Sequence, residues 1–206
     1  RVSLACKITR FLKKGNLRSD AEQCMKSDAA IHSACSDLFD YTYPQPMEPA
    51  QIVSFEEFEQ LRPTLGKIVC TSGGFDPIHP GHLSCIFESK QYGDVVVVIV
   101  NGDSFLRKKK GKPFMDLKTR CHIVSYIRGV DYVIPFDIID DQTVRVALEK
   151  IKPHVFTKGG DRIDEKSIPE WEVCKRNTIE VISGVGLKKD WSSSDFLREW
   201  EEFKKS

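Results

Sequence analysis

Two histidines, His79 and His82, stand three positions apart at the end of the run Thr71-Ser72-Gly73-Gly74-Phe75-Asp76-Pro77-Ile78-His79-Pro80-Gly81-His82. Side chains with that spacing share one face of a helix, so both imidazoles can point into the same pocket. Imidazole N–H groups donate hydrogen bonds to phosphate oxygens, and such donors count most where negative charge grows during a reaction. Gly73 and Gly74 let the main chain come close to a bound phosphate. A helix starting near Pro80 would aim unpaired N–H groups and a partial positive charge at the same anion. Gly81 keeps a side chain out of the space between the two rings. Taken alone, the histidines would equally suit a metal half-site or an ordinary surface. The glycine turn before them and the helix start beneath them favour the phosphate reading.

Three further clusters could work on the same ligand. Arg107-Lys108-Lys109-Lys110-Gly111-Lys112-Pro113 is either a solvated charged face or a set of flexible cations that neutralise a triphosphate and close over it. Lys110 is the expected contact. In Lys158-Gly159-Gly160-Asp161 the paired glycines invite close backbone approach, with Lys158 or Asp161 touching the ligand. Ser192-Ser193-Ser194 offers hydroxyls together with the amides of a helix start. Trp191, just before them, would stack on a base or pack.

These clusters need a scaffold that brings them to one edge. From Lys67 onward, β-rich runs (67–71, 94–101, 132–135, 154–157 and 178–183) alternate with amphipathic stretches, the pattern of a parallel sheet with helical crossovers. The unbroken apolar run Val95 to Val100 is expected of a central strand covered on both faces. Each chemical cluster follows a strand, which places it at the carboxyl edge where parallel sheets bind ligands. Helices are expected from Leu117 to Arg128 behind Asp116, from Thr143 to Ile151 behind Asp140 or Asp141 and stopped by Pro153, and from Ser194 to Lys205. Ser54 and Glu57 form a capping box ahead of a short helix reaching about Leu61. Residues 1–50 read as two helices, Val2 to Lys14 and Ser19 to about Tyr41, and a linker stiffened by Pro44, Pro46 and Pro49. The expected fold is thus α/β, with a Rossmann-like five-stranded parallel sheet in the order 3-2-1-4-5, helices on both faces, and a helical N-terminal extension. The expected domains are 1–50 and 51–206.

Composition narrows the function. The 206 residues carry 31 basic against 30 acidic side chains, too even a balance for a typical nucleic-acid binder. No apolar run is long enough for a transmembrane helix and no leader pattern opens the chain, so a cytoplasmic protein without a membrane partner is expected. Seven scattered cysteines, an odd number with no CxxC pair, suit reduced thiols rather than a disulfide framework or a zinc site.

Gly73 to Asp76 followed by His79-Pro80-Gly81-His82 resembles the G-x-F-D and H-x-G-H signature of the cytidylyltransferase-like nucleotidyltransferase superfamily. Within it, the chain most resembles the D-glycero-D-manno-heptose 1-phosphate adenylyltransferase family. That narrower likeness rests on Ile52 to Glu57, Asn101-Gly102-Asp103, Val133 to Phe136 and above all Phe156-Thr157-Lys158-Gly159-Gly160-Asp161. The resemblance spans about Gln51 to Lys205. It implies catalytic roles for His79, His82, Lys110 and Arg120, the last matching an arginine the family keeps near the nucleotide phosphates. It further implies nucleotide contacts from Gly74, Phe75, Asp76, Lys158, Gly159, Asp161 and the three serines. It also implies a homodimer. Lys188 to Trp191 departs from the arginine and glycine pattern of the cytidylyltransferases.

The implied reaction moves a nucleoside monophosphate, AMP from ATP, onto a sugar phosphate such as heptose 1-phosphate, with release of pyrophosphate. A phosphate monoester is largely dianionic near neutral pH, so it attacks the α-phosphorus without a general base. Positioning and charge neutralisation are then the protein's whole contribution. Mg2+ is expected to arrive on the nucleotide rather than in a protein metal site, with Asp76 or Asp161 near the ion or its waters. The alternatives are a CTP-dependent enzyme acting on glycerol 3-phosphate or another alcohol phosphate, and a non-catalytic nucleotide-binding module. A dinucleotide-binding oxidoreductase would need a G-x-G-x-x-G after the first strand, which this chain lacks.

Overall fold

The computed structural model describes residues 48–138, 143–160, 167–188 and 190–204. The expected N-terminal helices, most of their linker and Asp161 lie outside the described residues. In chain order the elements are β1 (Gln51–Ile52), α1 (Phe55–Leu61), β2 (Ile68–Gly73), α2 (Pro80–Ser89), β3 (Val95–Asn101), α3 (Asp103–Lys110) and α4 (Leu117–Ser125). They continue with β4 (Tyr132–Phe136), α5 (Arg145–Ile151), β5 (Val155–Gly159), α6 (Trp171–Arg176), β6 (Glu180–Val185) and α7 (Ser193–Phe203).

All strand pairs are parallel, and the sheet order is β1-β4-β3-β2-β5-β6. Strands β2 to β6 reproduce the expected order 3-2-1-4-5. The sheet nevertheless has six strands rather than five. The additional one, β1, pairs Gln51 with Tyr132 and Ile52 with Val133, and Val53 N donates to Val133 O at 3.0 Å. Two residues carry no readable alternation, so this strand exists because the edge of β4 recruits it.

The apolar run in β3 is central as expected. Val97 and Ile99 join Phe58, Ile134, Leu148 and Phe156 in a core on one face of the sheet. Val96, Val98 and Val100 join Ile86, Cys121 and Val124 on the other. Alternate residues of one strand therefore feed two cores, which explains why no polar position interrupts it.

Local chemistry sets the helix ends. Ser54 Oγ accepts from Glu57 N at 3.1 Å while Glu57 Oε2 accepts from Ser54 N at 2.7 Å, the reciprocal box at the start of α1. Asp116 Oδ1 accepts from Thr119 N at 2.7 Å and starts α4, which stops at Ser125, three residues short of the expected end. Helix α5 ends at Ile151, where Lys152 turns left-handed (φ 49°) ahead of Pro153. Cys70, Cys85, Cys121 and Cys174 are free and buried. Burial pushes the Cys121 and Cys174 thiols up to about 11, so both stay protonated and unreactive.

Candidate active site

Strand β2 sits where the sheet order reverses, with β3 on one side and β5 on the other. Chains leaving the carboxyl ends of these strands diverge there and leave a depression. The loop from Gly73 to His79 forms its floor. Phe75 has φ 51°, unusual for a bulky side chain, and is 4% exposed with its ring 5.0 Å from that of His82. A Cβ on Gly73 would press that ring at 3.0 Å, and one on Gly74 would meet Leu106 at the same distance. The glycine pair therefore leaves room for the Phe75 ring and the Leu106 side chain to pack closely against this loop.

His79 is the extended residue immediately before α2, and His82 lies in its first turn. Their rings stack with centroids 3.6 Å apart and planes 22° from parallel. A Cβ on Gly81 would stand 3.2 Å from two atoms of the His79 ring, so this glycine does keep the pair free to stack. Burial holds both imidazoles neutral. His82 is lowered to about 3, by burial first and then by His79, Lys109 and Lys110, and His79 is lowered by burial alone. The Nδ1 atoms of both rings are buried without a hydrogen-bond partner among the described residues. The helix start offers fewer amides than the sequence suggests: Pro80 has none, and those of His82 and Leu83 return to His79 O at 2.9 and 3.3 Å.

Two adjoining clefts open over this floor, of about 260 and 270 Å³. Gly74, Phe75, Gly81, His82, Phe105, Lys109 and Gly159 border both. The first is closed by His79, Lys110, Gly160, Trp191 and all three serines. Ser192 precedes α7, and Ser193 Oγ donates to Pro77 O at 2.8 Å, tying the last helix to the floor. The amides of Asp195 and Phe196 return to Ser192 O, so the start of α7 faces this cleft with its leading amides uncommitted among the described residues. The second cleft is closed by Ser72, Asn101, Thr143, Lys158, Pro169 and Glu170.

Several expected contacts have other duties. Arg120 is wholly buried and borders neither cleft, so it has no open path to a phosphate in this structure. Its guanidinium donates to Met115 O (3.0 Å), Gly74 O (2.8 Å), Asn101 O (2.5 Å) and Asp103 Oδ1 (2.6 Å). It thereby ties the ends of β2 and β3 to the starts of α3 and α4. Asp76 is 1% exposed, and its carboxylate accepts from Phe114 N and Met115 N, each at 2.8 Å, with Lys110 Nζ 3.4 Å away. Both its oxygens are thus turned to the protein rather than to a ligand. Lys110 also donates to Asp76 O, so it borders the first cleft while anchored on the floor. Lys158, 7% exposed, donates to Ser72 Oγ and pairs with Glu170 at 3.3 Å.

Arg107 to Lys110 form the last turn of α3 rather than a flexible loop, which gives the cations fixed places. Lys109 borders both clefts. The sequence marks it only as one lysine among several, since nothing local shows which side of the helix faces inward. Asp103 and Glu170 escape sequence reading for the same reason: their partners lie 17 positions away and in another strand.

Comparison with known proteins agrees with this geometry. The family profile described as Cytidylyltransferase-like matches residues 70–196. The chain is 32% identical to the Bifunctional protein HldE of Aliarcobacter butzleri (strain RM4018) over 155 residues, covering 72% of this chain and 29% of that protein. It is 42% identical to the Bifunctional protein HldE of Geobacter metallireducens over 101 residues, covering 48% of this chain and 20% of that protein. The chain therefore spans less than a third of the length of either relative. Among solved structures, the lipopolysaccharide core biosynthesis protein from Thermoplasma volcanium GSS1 superposes with a TM-score of 0.52 at 27% identity, covering 59% of this chain and 98% of that one. A pantothenate synthetase from Thermus thermophilus shares the fold, with a TM-score of 0.51 at 15% identity, covering 71% of this chain and 67% of that one.

Proposed function

The chain belongs to the cytidylyltransferase-like family of nucleotidyltransferases, and from that premise we propose that it transfers AMP from ATP to a sugar phosphate such as heptose 1-phosphate and releases pyrophosphate. The observation that carries the proposal is the stacked, neutral pair His79 and His82 on the rim of the first cleft, facing the start of α7. In this reading each ring carries its N–H on Nε2 and donates it to the ligand, leaving Nδ1, buried without a partner among the described residues, as a lone pair. Neutral imidazoles donate without carrying a charge of their own, so two can stand side by side.

In this reading the triphosphate lies in the first cleft between the histidines, Lys109, Lys110 and the leading amides of α7. The acceptor lies in the second, and its phosphate oxygen attacks the α-phosphorus in line. A new oxygen–phosphorus bond forms there as the bond to the bridging oxygen of pyrophosphate breaks. The departing charge is met by the imidazole donors and lysines. Arg120 and Asp76 position this floor from behind. Among the described residues no three or more His, Cys, Asp or Glu side chains gather into a metal cage, and Asp76 is already committed. Magnesium is assigned to the oxygens of the triphosphate, as part of the substrate. A homodimer is the proposed assembly. Among the described residues, no helix is long and apolar enough to cross a membrane.

The test is pyrophosphate release with ATP or CTP against sugar phosphates and alcohol phosphates. Turnover of ATP with a sugar 1-phosphate supports the proposal. Preference for CTP with glycerol 3-phosphate would replace it with the alternative transfer, and nucleotide binding without release would make the chain a binding module.

A further inference from the structure

The second cleft contains a carboxylate that the transfer mechanism does not use. Glu170 is 3% exposed and lies in the cleft wall just before α6. Its Oε2 stands 3.3 Å from Lys158 Nζ but receives no hydrogen bond among the described residues. Lys158 is itself fixed: its ammonium donates to Ser72 Oγ at 3.2 Å and lies 4.6 Å from the centre of the Phe156 ring. A buried carboxylate oxygen without a donor is costly, and native structures fill such places. The neighbouring ammonium repels a metal ion from this oxygen, and the carboxylate repels an anion. A neutral donor fits both charges, and a hydroxyl is the common one. Ser72 and Asn101 border the same cleft, so uncharged polar residues stand beside the carboxylate.

We infer that Glu170 determines acceptor specificity by accepting a hydrogen bond from a hydroxyl of the acceptor, with Lys158 holding the carboxylate in place. The inference rests on the proposed function, in which the acceptor occupies the second cleft. A site built around a buried acceptor atom discriminates strongly against an analogue that lacks the matching donor. Glu170 would therefore separate hydroxylated phosphates from plain alkyl phosphates.

The experiment uses the full chain and its Glu170→Gln variant, with pyrophosphate release from ATP measured on a hexose 1-phosphate and on butyl phosphate. The variant should raise KM for the hexose 1-phosphate about tenfold, because a neutral amide oxygen replaces the charged acceptor and weakens the hydrogen bond from the hydroxyl. KM for ATP should change by less than about twofold, and the butyl phosphate kinetics should match the wild type. A parallel rise in both substrates' KM, or equal losses with both acceptors, marks a merely structural role and overturns the inference. If the variant does not fold, the wild type decides. Its kcat/KM for the hexose 1-phosphate must exceed that for butyl phosphate by about tenfold, and parity overturns the inference. Wild-type turnover with an unshifted acceptor KM in the variant overturns this inference alone. No turnover by the wild type with any acceptor overturns the proposed function, and this inference falls with it.

Discussion

The neutrality of His82 makes the unliganded fold sensitive to acid. An unfolded imidazole titrates near 6.5, whereas His82 in the folded chain is held to about 3. Between those values the unfolded chain takes up a proton that the folded chain refuses, so stability is fully present above about 6.5 and falls as pH drops toward 3. His79, also lowered, adds the same sign. Urea denaturation at pH 7 and pH 5 should show this loss, and His82→Asn should lessen it; an unchanged slope in the variant would remove His82 as the cause. His82→Ala should lower kcat at least about 10²-fold with the fold kept, as for other lost donors to developing charge. Unchanged pyrophosphate release would take the histidines out of the mechanism. Arg120→Ala is expected to destabilise the fold by about 3–5 kcal/mol, because it leaves Asp103 and three carbonyls without their shared donor. A melt within about 1 kcal/mol of wild type would contradict that. These side chains show what sequence reading can do at this scale. The pairing of His79 and His82 around Gly81 was legible in their spacing. The inward turn of Arg120 and Asp76 was not, because burial depends on partners far along the chain.

Among the elements, α3 carries the most consequence for the site. Its start is held by Asp137 Oδ1, which accepts from Ser104 N at 3.1 Å and from the Ser104 hydroxyl, and a Cβ on Gly102 would collide with that oxygen. Gly102→Ala should therefore displace Asp137, cost about 1 kcal/mol of helix capping and loosen Lys109 and Lys110 at the other end. Differential melting and KM for the nucleotide measure both effects, and a variant matching wild type in each would show that the contact is dispensable. The five long strands were readable because their apolar runs exceed what a loop tolerates. Strand β1 was not, since its two residues pair only after β4 is in place. The helical state of Arg107 to Lys110 was hidden by charge, which suits a solvated helix end and a loop equally well.

At the scale of the whole molecule, Leu83, Phe87 and Tyr126 are 42%, 61% and 63% exposed and border one shallow apolar surface. Surfaces of this kind mark protein contacts, and the expected homodimer should be visible as twice the monomer mass in sedimentation equilibrium. A monomer at every concentration would contradict it. The order of the sheet has another consequence. Strand β2 is flanked by β3 and by β5, and the latter arrives more than eighty positions later. During synthesis the histidine loop leaves the ribosome long before Lys158, Gly159 and the final serines exist to close either cleft. A nascent chain halted after α4 would carry the signature with neither cleft closed, so on the proposed function binding competence arises only once Ser192 to Ser194 have been made.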